Sequence, residues 1–132
     1  MDKKPSVLIV EDERIIAMDL KFKLSHLGFC VKAAVPSGEK ALDFLNQSRP
    51  DLILMDIMLE GQLDGVETTQ QIFKHHQGIP VIFVTAFTDT ATYDRAMATR
   101  PHAFLSNPVD MEDLQAAVRT AIARQSGSNA VN

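Results

Sequence analysis

Three carboxylates and a hydroxyl each stand at the end of a short apolar run. Glu11 and Asp12 follow VLIV, Asp56 closes LILMD, Thr85 closes VIFVT, and AFL runs on through Ser106 to Asn107. If a fold gathered Glu11, Asp12 and Asp56, they would repel one another strongly unless a cation joined them. A hard divalent ion suits such an all-oxygen set, because Mg2+ takes one or two carboxylates, keeps several waters and shares a phosphate oxygen. An aspartate beside such an ion, with a hydroxyl nearby, is a candidate phosphoryl acceptor, since carboxylates serve as nucleophiles. The ion would neutralise charge on the transferring group. Acidic residues at strand ends also serve as plain helix N-caps and solvated turns, and that is the preferred reading of Glu13. Asp12 alone fits either description. The full set, at successive strand ends, favours metal and phosphate chemistry.

The elements that must position these residues alternate along the chain. Val7–Val10, Cys30–Val35, Leu52–Asp56, Val81–Thr85 and Ala103–Leu105 read as strands. VLIV and VIFV are continuously apolar, as in strands covered on both faces of a parallel sheet. Helical spacing places Ile16, Leu20, Leu24 and Leu27 on one face of Glu13–Leu27, stopped by Gly28. Ser37–Gln47 starts at an N-cap and carries Ala41, Leu42 and Leu45. Gly65–His76, Thr90–Thr99 and a last helix capped by Asp110 complete the set. Five β–α units in succession imply an open parallel sheet with helices on both faces and right-handed crossovers. Ligands bind such sheets outside the carboxyl ends of the strands, where the acidic residues fall.

The chain has 132 residues, enough for one domain with a real core, expected over 1–125, with the polar stretch 126–132 as a disordered tail or linker stub. A net charge of -4 gives no general attraction for nucleic acid or anionic membrane, and the basic residues are scattered along the sequence without forming a patch. No apolar run is long enough to span a bilayer, and the acidic EDE ends the first one too early for a signal peptide. The single cysteine, Cys30, excludes an internal disulfide, suits a cytoplasmic location and reads as a small core residue. His26, His75, His76 and His102 show no metal-ligand pattern, and His75 and His76 end a helix where a cation meets the dipole.

From VLIVEDE through PDLILMDIMLEGQLDG and VIFVTAFTD to AFLSNPVD, nearly the whole chain resembles the receiver domain of two-component response regulators, the CheY-like family. The resemblance implies a flavodoxin-like, doubly wound five-stranded parallel sheet in the order 2-1-3-4-5, with five helices. It implies that Asp56 accepts phosphate, and that Asp12 and Asp56 hold Mg2+ or Mn2+ together with the backbone carbonyl of Met58 and, through water, Glu11. It implies that Thr85 is a switch hydroxyl, that Phe104 is an aromatic whose rotamer follows it, and that Pro108 follows a cis bond. Met58, Ala86 and Phe87 occupy positions that flank the path of the phosphodonor and of attacking water. Apolar Met58 and Phe87 would slow loss of phosphate by excluding water, or merely cover the loop, while small Ala86 leaves access for a donor histidine. The implied partners are a histidine kinase or histidine phosphotransfer protein and a downstream protein or fused domain, without direct contact to nucleic acid or insertion into membrane. Homodimerisation through the fourth helix, fifth strand and fifth helix is a further implication.

Two departures stand out. DIMLEGQLDG is slightly longer than the commonest family form, with Gly61 and Gly65 supplying turn freedom. Asn107 occupies the position of the family's lysine, so a neutral amide replaces the cation that would pair with the acceptor carboxylate and then the phosphoryl group. Crowding should then raise at least one carboxylate pKa in metal-free protein. Arg14 is the nearest candidate for a replacement charge. The alternative is a degenerate receiver that binds partners without phosphorylation. An aspartyl-nucleophile phosphatase is disfavoured, because Met58 stands where that class needs a second aspartate. A flavin module is disfavoured too, because no Ser/Thr/Gly-rich loop follows the first strand. The chain is therefore expected to be a signalling phosphoacceptor rather than an enzyme acting on other substrates.

Overall fold

The computed structural model describes residues 4–86 and 89–131, with side chains as far as residue 124. Strands β1 (Ser6–Val10), β2 (Cys30–Val35), β3 (Leu52–Met55), β4 (Val81–Thr85) and β5 (Ala103–Ser106) alternate with helices α1 (Arg14–His26), α2 (Gly38–Leu45), α3 (Gly65–His75), α4 (Thr90–Ala98) and α5 (Met111–Val131). All four strand pairings are parallel, in the order β2-β1-β3-β4-β5. The fold expected of the resemblance is the fold observed.

The period-two geometry of strands divides the apolar residues between two cores. Val7, Ile9, Leu52, Leu54, Ile82 and Val84 face Leu20 and Leu24 of α1 and Leu114 and Val118 of α5. Leu8, Val10, Ile53, Met55, Val81 and Phe83 face Ala41 and Leu45 of α2, Val66 and Ile72 of α3, and Ala96 of α4. Each of these side chains contributes on the order of 1.5–3 kcal/mol by leaving water, and small Ala96 much less. The middle three strands are thereby a rigid base, and whatever follows their last residues is held in place.

At the sheet's edge, β2 alternates exposed and half-buried residues, and Cys30 is exposed. The expectation of a core cysteine is thus corrected: an edge strand has one neighbour, so its first residue lies outside the packed layer.

Local chemistry fixes the helix starts. The Ser37 hydroxyl accepts from the Lys40 amide at 3.1 Å. Asp64 and Glu67 form a reciprocal capping box. Asp89 and Asp110 accept from the Thr92 and Asp113 amides, each at 2.8 Å. Glu13 occupies the N-cap position of α1 without a side-chain cap bond. The backbone of α5 is helical through Val131, across most of the stretch whose composition predicts disorder; with no proline there, each added residue gains its backbone bond. Gly28 and Gly78 take left-handed backbone just past α1 and α3, with φ 93° and 92°. Past α4 the same left-handed conformation is adopted by Arg100, φ 62°, at a cost of about 1 kcal/mol for a residue with a Cβ.

Candidate functional site

Four strands deliver the site. The Asp56 amide donates to the Val10 carbonyl at 2.9 Å, and the Glu11 amide donates to the Val35 carbonyl at 2.9 Å, so the ladders extend one residue past β3 and β1. That extension places one ligand oxygen from each of Glu11, Asp12 and Asp56 within 4.8 Å of one another. Asp56 Oδ1 accepts from the Ile57 amide at 2.7 Å. The Asn107 amide donates to the Thr85 carbonyl at 2.9 Å, tying the end of β5 to that of β4. The Asn107–Pro108 peptide bond is cis.

Around these residues lies a cleft of about 420 Å3, lined among others by Asp12, Asp56, Met58, Thr85, Ala86 and Asn107. Thr85 is almost wholly buried, at 3 % exposure, and Met58 stands 71 % exposed on the rim. Thr85 and Ala86 also line a second cleft of about 620 Å3, whose other walls include Tyr93 and Phe104. Thr85, Ala86 and Asp89 thus line both an acidic and an aromatic space. Phe104 meets Tyr93 edge-on with ring centroids 4.9 Å apart, and meets Phe83 at 6.0 Å. Phe87 lies outside the described residues.

Glu11 is 4 % exposed, and its Oε1 is buried with no hydrogen-bond partner. Burial first, then the charge of Asp56, a hydrogen bond to it and the charge of Asp12, push its carboxyl up to about 8, against the pull of the Glu13 amide. Crowding does raise a carboxylate here, but desolvation is the larger cause. Among the described residues no cation pairs with these carboxylates: Arg14, the candidate, is exposed, and the ion pairs are Lys23–Asp19 and Arg95–Asp64. Asn107 Nδ2 is buried and has no acceptor. An oxygen-only donor set containing an orphaned buried carboxylate oxygen fits a small hard cation.

Other residues tune the site without any sequence signal of their own. Glu39 Oε2, from α2, accepts the Gln62 and Leu63 amides at 2.9 and 3.2 Å, and Ser37 bridges to Glu60. These bonds hold the lengthened loop after Asp56. Gly61 takes φ 89° as expected of a turn residue, but Gly65 does not supply turn freedom. A Cβ on Gly65 would overlap the Asp56 carbonyl oxygen and come within 2.8 Å of its carbon, so α3 abuts the acceptor's backbone. The exposed residues Ile15 (83 %), Met18 (68 %) and Phe22 (68 %) form an apolar stripe along α1, the helix whose first turn borders the acidic cleft.

Residues 7–119 match the model of the response regulator receiver domain. The chain is 33% identical over 124 residues to a probable transcriptional regulator, ycf27, of Guillardia theta, covering 94% of this chain and 48% of the relative. It is 30% identical over 118 residues to the transcriptional regulatory protein PdtaR of Mycobacterium tuberculosis, covering 89% and 57%. It thus spans about half the length of the curated relatives it matches. Its structure resembles the signal receiver domain of a modulated diguanylate cyclase from Desulfovibrio desulfuricans G20, with TM-score 0.88, 37% identity, and coverage of 96% and 99%. Among the described residues no helix is long and apolar enough to cross a membrane.

Proposed function

Since this chain belongs to the response regulator receiver family of two-component signalling, we propose that Asp56 accepts a phosphoryl group from a phosphohistidine of a kinase or phosphotransfer protein. The observation that carries this reading is the meeting of Glu11, Asp12 and Asp56 within 4.8 Å at the strand ends. A carboxylate oxygen of Asp56 attacks phosphorus, the P–N bond breaks, and neutral imidazole leaves after taking a proton. Because Oδ1 is engaged by the Ile57 amide, attack falls to the other oxygen. Asp12 and Asp56, with the Met58 carbonyl and Glu11 through water, would hold Mg2+ or Mn2+. When bound, that ion supplies neutralising charge for the phosphoryl oxygens. The unpartnered Asn107 Nδ2 offers the phosphoryl group a neutral hydrogen bond in place of the family's lysine.

The phosphoryl group also needs a signal path. Thr85, sharing both clefts, turns its hydroxyl toward the modified Asp56, and Phe104 shifts into the space that Thr85 vacates. Downstream partners then read α4, β5 and α5, where Tyr93 and Met97 are 42 % and 39 % exposed; a homodimer would use the same face. The α1 stripe and Met58 give the donor protein an apolar rim around an acidic target. Exposed Met58 shields Asp56 from water and prolongs the phosphorylated state.

The test is labelling with a small-molecule phosphodonor, with Mg2+ and with EDTA, beside Asp56→Asn. Labelling that needs both Mg2+ and Asp56 supports the proposal, and full labelling in EDTA contradicts it. The absence of a cation near the carboxylates favours a second reading, a phosphorylation-independent binding module. Failure of the intact protein to label from either donor or partner would select that reading.

A further inference from the structure

The opposite pole of the sheet carries a second cleft, of about 740 Å3, lined by Arg49, Arg100, Arg124 and His102. The segments before β3 and β5 bring in Arg49, Arg100 and His102, and α5 brings in Arg124. These cations are far apart in sequence, so the expectation that the basic residues form no patch is corrected by the fold. No aspartate or glutamate lines this cleft. Among the described residues the ion pairs lie elsewhere, at Lys23–Asp19 and Arg95–Asp64, so none of the three arginines is neutralised by a carboxylate. Burial, then the charge of Arg124, lowers the His102 pKa, which shows that the two groups share one field.

All three arginines are exposed, and Arg49 donates to the Gln77 carbonyl at 2.8 Å, so water screens their mutual repulsion and leaves the guanidinium groups open to an anion. Backbone conformation adds an independent observation. Arg100 holds a left-handed turn that glycine takes after α1 and α3, and the side chain retained there lines the cleft. Strained residues of this kind gather at ligand sites. The apolar surface that reaches the cleft is that of half-buried Phe73, Pro80 and Pro101, backed by buried Ile79, Val81 and Ala121. Its size is that of small-molecule sites, which pair an apolar lining with a few placed polar groups. Planar guanidinium forks match phosphate oxygens.

We propose that this cleft binds a nucleotide, its phosphates held by Arg49, Arg100 and Arg124 and its base laid against the floor of Phe73, Pro80 and Pro101. A receiver with such a site would answer to a soluble phosphorylated metabolite as well as to its phosphodonor.

Calorimetric titration of the whole chain with ATP, tripolyphosphate and adenosine, at low salt and with EDTA, tests the assignment. ATP should bind more tightly than either fragment, because only ATP uses both the arginines and the floor. Arg100→Gly should weaken ATP binding about tenfold, the loss expected for one charged hydrogen-bonding partner, without lowering Tm, since glycine suits φ 62°. Arg124→Ala should weaken binding similarly, while Asp56→Asn should leave it unchanged. No detectable ATP binding, or binding indifferent to both arginine substitutions, overturns the proposal. Tripolyphosphate binding as tightly as ATP overturns the nucleotide assignment, and loss of binding in Asp56→Asn would place the ligand at the acidic pole.

Discussion

One sheet presents two poles of opposite charge, and they are assembled by different rules. At the carboxyl ends of the strands, Glu11, Asp12, Asp56 and Asn107 each follow a strand directly or within two residues, and Thr85 ends one. At the amino ends, Arg49 and Arg100 come from connecting segments and Arg124 from the far part of a helix. Parallel strands bring all their carboxyl ends together, so a residue that follows a strand is located once the strand is found. A residue in a returning connection has no such address. The acidic pole was therefore legible in the sequence, and the basic pole was not.

The largest contrast between the poles should come from Asp56→Asn, which is expected to reduce phosphodonor labelling to background while ATP titrates the other pole as before. Next is Gly65→Ala, where the new Cβ meets the Asp56 carbonyl. Urea unfolding should show a loss of about 3 kcal/mol, the upper part of the range for overpacking, because the backbone there cannot yield.

A pH series sharpens the comparison further. Glu11 has its carboxyl pKa raised from 4.5 to about 8, so between those values the folded chain keeps a proton that the unfolded chain has released. The Glu11 contribution to metal-free stability is therefore most favourable below about 4.5, falls as pH rises toward 8 and levels off above it. The fall should be read in chemical denaturation with EDTA, and Mg2+ should flatten it. A pH-independent midpoint in EDTA would show that Glu11 is hydrated more than its burial implies.

Asn107→Lys restores a charge to the acidic pole and should raise the labelling rate about tenfold, as a charge-assisted bond replaces a neutral one. An unchanged rate would mean that Asn107 Nδ2 already provides the needed contact. The smallest effect belongs to the basic pole: Arg100→Gly should raise stability by about 0.5 kcal/mol by relieving left-handed backbone, read as a slight increase in Tm.

Most of the fold could be read directly. The runs VLIV and VIFV gave β1 and β4 because strands covered on both faces are continuously apolar, and Ser37 and Asp110 marked helix starts through their oxygens. Cys30 misled because composition says nothing of whether a strand lies at an edge. The contacts of Glu39 with Gln62 and Leu63, and of Tyr93 with Phe104, join separate elements through side-chain reach and leave no periodic trace. Glu11 reads in the sequence as an acidic residue that would reach a metal through water, but its burial depends on residues distant in the chain, such as Val35 and Asp56.

The contact between Gly65 and Asp56 makes the surroundings of Asp56 mechanically lopsided. On the α3 side, backbone rests on backbone, leaving no slack for an atom to travel. On the β4 side, Thr85 lines two open volumes. A group added to Asp56 would therefore meet backbone on one flank and open space on the other, a difference set by the missing side chain of Gly65.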